Sequence, residues 1–165
     1  MTSHLVHCAL ALLLTGSLAK AGPAMPVERD EVPPAVEAEL ATREVLCELD
    51  NLGELVVPQD ALTKADLNDD GAVEFIVTLC RLACAGSLPK VTTACDQSLI
   101  FISAGTSYQP ARMPGEILDI RQNPGRPAKI LSSFISNRTT CPVADGVCNT
   151  LYEIRHGELV QIGIE

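Results

Sequence analysis

The sequence predicts an α+β fold in which one N-terminal amphipathic helix packs on a mainly antiparallel β-sheet and disulfides stabilise the domain. A helical repeat of apolar residues in the first third of the chain predicts the helix. Several short β-branched runs separated by Gly, Pro and Asn predict the sheet. Six of the seven cysteines lie after residue 22, and their even number predicts disulfides.

Residues 1–21 have the pattern of an export signal. Their apolar core, residues 10–14, is too short to cross a bilayer, and Ala19-Lys20-Ala21 offers the small residues at which signal peptidase cuts. Residues 22–34 mix prolines with acidic residues and predict a disordered leader. Residues 35–165 then form a single domain. We therefore expect a periplasmic or secreted monomer with no membrane insertion after the signal is removed.

The predicted helix covers residues 35–52. Its apolar residues recur at i, i+3, i+7, i+11 and i+14 and form the expected core side: Ala38, Ala41, Val45, Leu49 and Leu52. Pro33 and Pro34 suit the first turn, and Gly53 suits a left-handed residue beyond the end of the helix.

Seven further segments predict strands. They are residues 55–57, 75–80, 98–103, 116–121 and 129–135, followed by a hairpin of residues 151–155 and 158–164 around the turn His156-Gly157. Alternation of side chains makes the hairpin the strongest of these predictions. The segment 75–80 also fits a helix with Ile76, Leu79, Cys80 and Ala83 on one side, and periodicity leaves both readings open.

The cysteine pattern favours three disulfides over a zinc site. The sequence has no Cys-x-x-Cys pair, and after residue 21 it contains a single histidine, His156. Sequence alone does not fix the connectivity. Guided by local geometry, we predict three pairs: Cys141 with Cys148, Cys84 with Cys95, and Cys47 with Cys80.

The charge distribution limits the classes of partner. The chain has a formal net charge of -9, and residues 28–74 contain fourteen acidic residues against three basic ones. Such an acidic half argues against nucleic acid and anionic membranes as partners. It permits a metal ion or a basic protein.

Residues 66–77 have the spacing of a calcium loop. Side-chain oxygens stand at positions 1, 3, 5 and 9, a main-chain carbonyl stands at position 7, and Gly71 occupies the sharp turn. The predicted ligands are Asp66, Asn68, Asp70, the carbonyl of Ala72, and Glu74. Val77 stands where a calcium hand has its bidentate glutamate, which argues for a structural site and against a sensor of the helix-loop-helix type. An Asx-rich turn without metal remains the alternative.

The pattern Asp-x-Asn-x-Asp-Gly-x-x-Glu, followed by Phe75-Ile76-Val77, resembles the calcium loop of FG-GAP or integrin-type propeller repeats. In those repeats an acidic residue at position 9 completes the site and a strand follows. The single copy argues against a propeller. The chain is also similar to small uncharacterised exported bacterial proteins with one such loop, although it lacks their glycine-rich cysteine cluster and C-terminal tryptophan. That resemblance implies a periplasmic or secreted location and no known activity.

These observations predict an exported, non-enzymatic protein with a structural calcium loop. The one histidine after the signal lies in a predicted turn, and the sequence contains neither a nucleophile elbow nor a zinc-protease helix. The alternative is an acidic binding or inhibitor protein for a basic partner, acting without metal. Its binding patch would comprise acidic residues of the helix: Glu37, Glu39, Glu44, Glu48 and Asp50.

Overall fold

The computed structural model describes residues 24–86, 97–123, 125–135 and 146–165. The predicted signal at residues 1–21 lies outside these ranges. Of the described residues, 54% are in strands and 21% in helices, and the strands form three sheets. The α+β prediction is therefore wrong, and the protein is mainly antiparallel β with one α-helix among the described residues. The error arose because the polar and proline-containing strands carry little apolar alternation.

The α-helix α1 spans Pro34–Leu49. The strands in chain order are β1 Met25–Pro26, β2 Leu55–Val56, β3 Leu62–Ala65, β4 Glu74–Thr78, β5 Ala83–Cys84, β6 Gln97–Ala104, β7 Ser107–Pro114, β8 Glu116–Asn123, β9 Arg126–Ile135, β10 Val147–Arg155 and β11 Glu158–Ile164. Three short 3-10 helices lie at Arg29–Glu31, Gln59–Ala61 and Leu79–Arg81. Among the described residues, no helix is both long enough and apolar enough to cross a membrane.

Two sheets carry most of the structure. The first has the strand order β1-β3-β4-β6-β7, the second has the order β11-β10-β9-β8, and β2 pairs with β5 separately. Every neighbouring pair is antiparallel. From β7 onward each strand pairs with the strand before it in the chain, except that β8 does not pair with β7. Between these two strands the chain passes from the first sheet to the second.

The first sheet is covered on both faces. On one face, Ile76, Ile100 and Met113 pack with residues of the second sheet such as Ile130 and Ile154. On the other face, a second cluster joins the sheet to α1 and the N-terminal segment: Val27, Val36, Leu40, Leu62, Phe75, Val77, Leu99 and Phe101. Because neighbouring strand residues point to opposite faces, β4 and β6 supply both clusters, which explains their continuous apolar sequences.

The predicted core side of α1 is wrong. Ala38, Ala41, Val45 and Leu49 are exposed, and the helix buries Val36, Leu40 and Cys47 instead. The buried side was hidden in the sequence because Arg43 and Glu44 stand between Leu40 and Cys47. Long charged side chains of this kind lay their aliphatic stems along the protein and keep their charged ends in water.

Most predicted strands are confirmed, with shifted ends. The segment predicted at 75–80 forms β4 and then the 3-10 helix Leu79–Arg81, which decides between strand and helix. The predicted C-terminal hairpin is β10 and β11, and His156 and Gly157 of its turn both have positive φ. Four strands were missed: β1, which lies within the leader predicted to be disordered, and β3, β5 and β7. Strand β7 contains Pro110 and lies at the edge of its sheet, where proline is tolerated.

A disulfide joins Cys47 of α1 to Cys84 of β5, with their Cα atoms 5.5 Å apart. The predicted pairs of Cys47 with Cys80 and of Cys84 with Cys95 are therefore wrong. The chain brings β5 back beside β2, which follows α1, and this pairing puts Cys84 within reach of the helix. Cys80 and Cys148 are also disulfide-bonded. The predicted bridge from Cys141 to Cys148 lies outside the described residues, because Cys141 does.

The passage between the two sheets is a corner at Pro114 and Gly115. Gly115 has a φ of 81°, and a Cβ atom there would lie 2.1 Å from the carbonyl oxygen of Ser133. The buried Ser98 hydroxyl donates a hydrogen bond to the Gly115 carbonyl at 2.8 Å, and the buried Ser132 hydroxyl donates to the Pro114 carbonyl. The corner thus requires a residue without a side chain and fixes both of its carbonyls.

We predict that Gly115→Ala lowers the free energy of unfolding by more than about 3 kcal/mol, because left-handed strain is added to a clash with backbone atoms. Gly105→Ala is the matched control, since Gly105 has a φ of 67° and no atom within 4 Å of the added Cβ. That variant should lose only about 1 kcal/mol. Urea unfolding measures both values, and equal losses would contradict the clash.

Candidate metal site

The predicted calcium loop connects β3 to β4, two neighbouring strands of the first sheet. Asp69 and Gly71 have φ values of 62° and 87°, which let the chain reverse direction. Leu67 is fully buried in the cluster between the sheets, and its carbonyl accepts a hydrogen bond from the Ala128 amide at 2.8 Å. The loop is therefore anchored to both sheets while its polar residues remain at the surface.

The structure brings the predicted ligands at positions 1, 3 and 5 together. Asp66 Oδ1 and Asn68 Oδ1 accept hydrogen bonds from the same donor, the Asp70 amide, at 3.3 and 3.1 Å. Asp66 Oδ2 accepts from the Gly71 amide at 3.0 Å, and Asp70 Oδ1 accepts from the Ala72 amide at 2.8 Å. Asn68 Nδ2 also donates to Asp70 Oδ2 at 2.7 Å. Three oxygen-bearing side chains thus converge on one turn of backbone.

Glu74 occupies a different environment from the other predicted ligands. Its side chain is fully buried, and its Oε2 accepts a hydrogen bond from the Leu67 amide at 2.7 Å. Its Oε1 accepts from the Ser103 hydroxyl at 2.8 Å and from the Ser103 amide at 3.4 Å. Glu74 therefore fastens the loop to β4 and β6, and its role as a metal ligand stays a prediction.

Burial raises the pKa of the Glu74 carboxyl above its ordinary value, because a charged carboxylate is poorly solvated in the protein interior. The hydrogen bonds from Leu67 and Ser103 act in the opposite direction but are outweighed. The negative charge of Asp70 raises the pKa further. Glu74 is thus the acidic group of the loop whose charge the fold disfavours.

The loop carries acidic side chains without basic partners. Asp66, Asp69, Asp70 and Glu74 form no ion pair within the described part of the chain. A cation would reduce their mutual repulsion. Across residues 24–86, 97–123, 125–135 and 146–165, no three His, Cys, Asp or Glu side chains are grouped to hold a metal. A metal at the loop would therefore need the Asn68 amide oxygen, main-chain carbonyls and water as well as carboxylates.

The acidic patch predicted on the helix is largely neutralised by the protein itself. The Arg29 guanidinium lies 2.8 Å from Glu37 and 3.0 Å from Glu44, and Arg43 lies 2.9 Å from Glu39. The two carboxylates beside Arg29 raise its pKa. Of the five predicted residues, Glu48 and Asp50 form no ion pair among the described residues.

One residue of the site, Ser103, was missed by sequence reasoning. Ser103 supports Glu74 from β6, and a hydroxyl residue 29 positions further along the chain gives no local signal of that role. His156 lies, as predicted, in the exposed turn between β10 and β11.

Comparison with known protein families, with curated proteins and with solved structures finds no match to this chain.

We predict that Glu74→Gln changes how stability depends on pH. A raised pKa means that the folded state favours the protonated form. Protonated Glu74 therefore adds its full contribution to the free energy of unfolding below the pKa of a glutamate in the unfolded chain, about 4.3. That stabilising contribution is lost as pH rises through the folded-state pKa. Gln stays neutral, so the variant should gain stability relative to the original protein as pH rises.

Urea unfolding at several values between about pH 4 and pH 8 measures this difference. Glu54→Gln, which alters an exposed carboxylate, is the control and should show little relative change. A pH-independent difference between the Glu74→Gln variant and the original protein would contradict the disfavoured charge.

Proposed function

We propose that this chain is an exported, non-enzymatic protein whose loop at residues 66–74 binds one calcium ion as a structural element. The observation that carries the proposal is the convergence of Asp66, Asn68 and Asp70 on one turn, with no basic side chain ion-paired to their carboxylates in the described residues. These three residues and the Ala72 carbonyl would hold the ion. Glu74 would either contribute an oxygen to the ion or hold the loop in place through its hydrogen bonds to Leu67 and Ser103.

Calcium suits the donor set better than other biological metals. The loop offers only oxygen atoms, which hard cations prefer, whereas zinc favours thiolate and imidazole ligands. Calcium accepts irregular shells that include carbonyls and water. The exposure of Asp70 and Ala72 leaves space for water molecules in the shell.

A bound ion would act on stability. The loop joins two adjacent strands, and Leu67 and Glu74 tie it to β9 and β6. By reducing repulsion among the carboxylates, the ion would hold these connections in place. This is why we assign the site to the fold and not to catalysis.

The disulfide between Cys47 and Cys84 supports the export part of the proposal. Disulfides persist in the periplasm and outside the cell and are rare in the reducing cytosol. This agrees with the signal predicted at residues 1–21. Calcium outside cells reaches levels at which a site with a dissociation constant of about 0.1–1 mM is occupied.

We predict that about 2 mM calcium stabilises the protein by about 0.6 to 1.8 kcal/mol, as follows from binding to the folded state alone with that affinity. The thermal midpoint should rise by about 2 to 6 °C, and a chelator should reverse the rise. Scanning calorimetry with and without calcium measures the change. An unchanged midpoint would contradict the site, and an equal rise with magnesium would contradict its selectivity.

We predict that Asp66→Asn abolishes most of the calcium-induced rise and that Asp69→Asn retains it. Both variants remove one negative charge from the same loop, and asparagine tolerates the left-handed backbone of Asp69. Asp66 accepts hydrogen bonds from the turn at which the ligands converge, whereas the Asp69 side chain accepts none from the described residues. The increment in midpoint is compared for each variant, and equal increments would show that general charge, not coordination by Asp66, causes the response.

A further inference from the structure

Helix α1 presents a second apolar side to solvent. We call it the outer stripe and define it as Ala38, Ala41, Val45, Leu46 and Leu49, all exposed. Leu49 is 70% exposed, Val45 52% and Leu46 48%. These three large side chains are spaced so that they lie together over the last turns of the helix. Since the opposite side of α1 already packs on the first sheet, the outer stripe is unpartnered among the described residues.

The charges beside the outer stripe are acidic and uncompensated. Glu48 and Asp50 are exposed and form no ion pair within the described ranges, and the last turn of α1 contains no basic residue. The C-terminal end of a helix already bears partial negative charge, so acidic residues there are unfavourable. Before the last turn of the helix, by contrast, Arg29 compensates Glu37 and Glu44, and Arg43 compensates Glu39.

This charge distribution selects the class of partner. A second copy of the chain would bring further uncompensated acids into the contact. A partner with lysine or arginine beside an apolar surface would bury the leucines and satisfy both Glu48 and the helix end. Charge complementarity therefore favours a basic partner.

We propose that the outer stripe docks a cationic amphipathic helix of a partner protein. The apolar side of that helix packs against Val45, Leu46 and Leu49, and its basic side chains meet Glu48 and Asp50. In this mode two amphipathic helices pack side by side, as in a coiled coil, so that spaced apolar anchors give affinity and flanking charges give selectivity. The inference uses no residue of the calcium loop and stands or falls independently of that proposal.

The test measures binding of two synthetic helical peptides to the oxidised protein. One peptide has leucine on one side and lysine on the other, and its counterpart carries glutamate in place of lysine. Fluorescence anisotropy should show binding of the lysine peptide and none of the glutamate peptide. Leu49→Gln should weaken binding about tenfold, because it removes a large apolar contact without changing charge.

Leu118→Gln is the matched control, since Leu118 lies on β8 with a similar exposure of 55%. It should bind the lysine peptide like the original protein. The double variant Glu48→Gln, Asp50→Asn should bind the lysine peptide several-fold more weakly than the original protein at low ionic strength. This difference in affinity should disappear in about 1 M salt. All variants change exposed side chains, and a urea midpoint equal to that of the original protein would show that each is folded.

Four results would overturn the proposal. The first three are the absence of lysine-peptide binding, equal binding by Leu49→Gln and the original protein, and equal binding of the two peptides. The fourth would come from sedimentation of the free protein. A dimer that Leu49→Gln dissociates would identify a second copy, not a basic partner, as the occupant of the outer stripe.

Discussion

The two-sheet structure depends on the corner at Pro114 and Gly115. On one side of it, β7 closes the first sheet, and on the other β8 opens the second, so the direction in which the chain leaves Pro114 decides whether the sheets face each other. The buried hydroxyls of Ser98 and Ser132 hold the two corner carbonyls from opposite sheets. Backbone conformation and side-chain hydrogen bonding therefore act together at one point.

The loop between β3 and β4 is also fixed by a buried polar side chain, in this case a carboxylate that accepts hydrogen bonds. A buried carboxylate, Glu74, accepts hydrogen bonds from Leu67 in the loop and from Ser103 in β6. Burying this carboxylate lowers the stability of the fold, because a charged group is poorly solvated in the interior. Its hydrogen bond to Leu67 fixes the loop, in which the surface carboxylates lie close together. The position of the proposed calcium site at the surface therefore depends on the buried side chain of Glu74.

How much of this was predictable from the sequence depends on the range of the interactions involved. Local signals sufficed for β4, β6 and the hairpin of β10 and β11, where alternation or a continuous apolar run reflects direct burial. The convergence of Asp66, Asn68 and Asp70 also follows from spacing within one turn.

Features that depend on distant partners were not predictable. The rotation of α1 is set by its contact with the first sheet, and charged residues interrupt its buried side in the sequence. Strand β7 carries prolines that are tolerated only because it lies at an edge. The partner of Cys47 depends on how β5 returns to β2, and the fold class was misjudged because such weakly patterned strands were not counted.

The disulfide between Cys47 and Cys84 has a consequence for the integrity of the chain. The two cysteines are 37 positions apart, and the covalent ring between them encloses β2, β3, the acidic loop and β4. In the chain-entropy description, closing a ring of this size stabilises the fold by about 4 kcal/mol. A protease that cut the exposed loop near Gly71 would leave two pieces still joined by sulfur, so the nick would become visible only after reduction. Cleavage within this exposed acidic loop therefore releases no fragment from the oxidised protein.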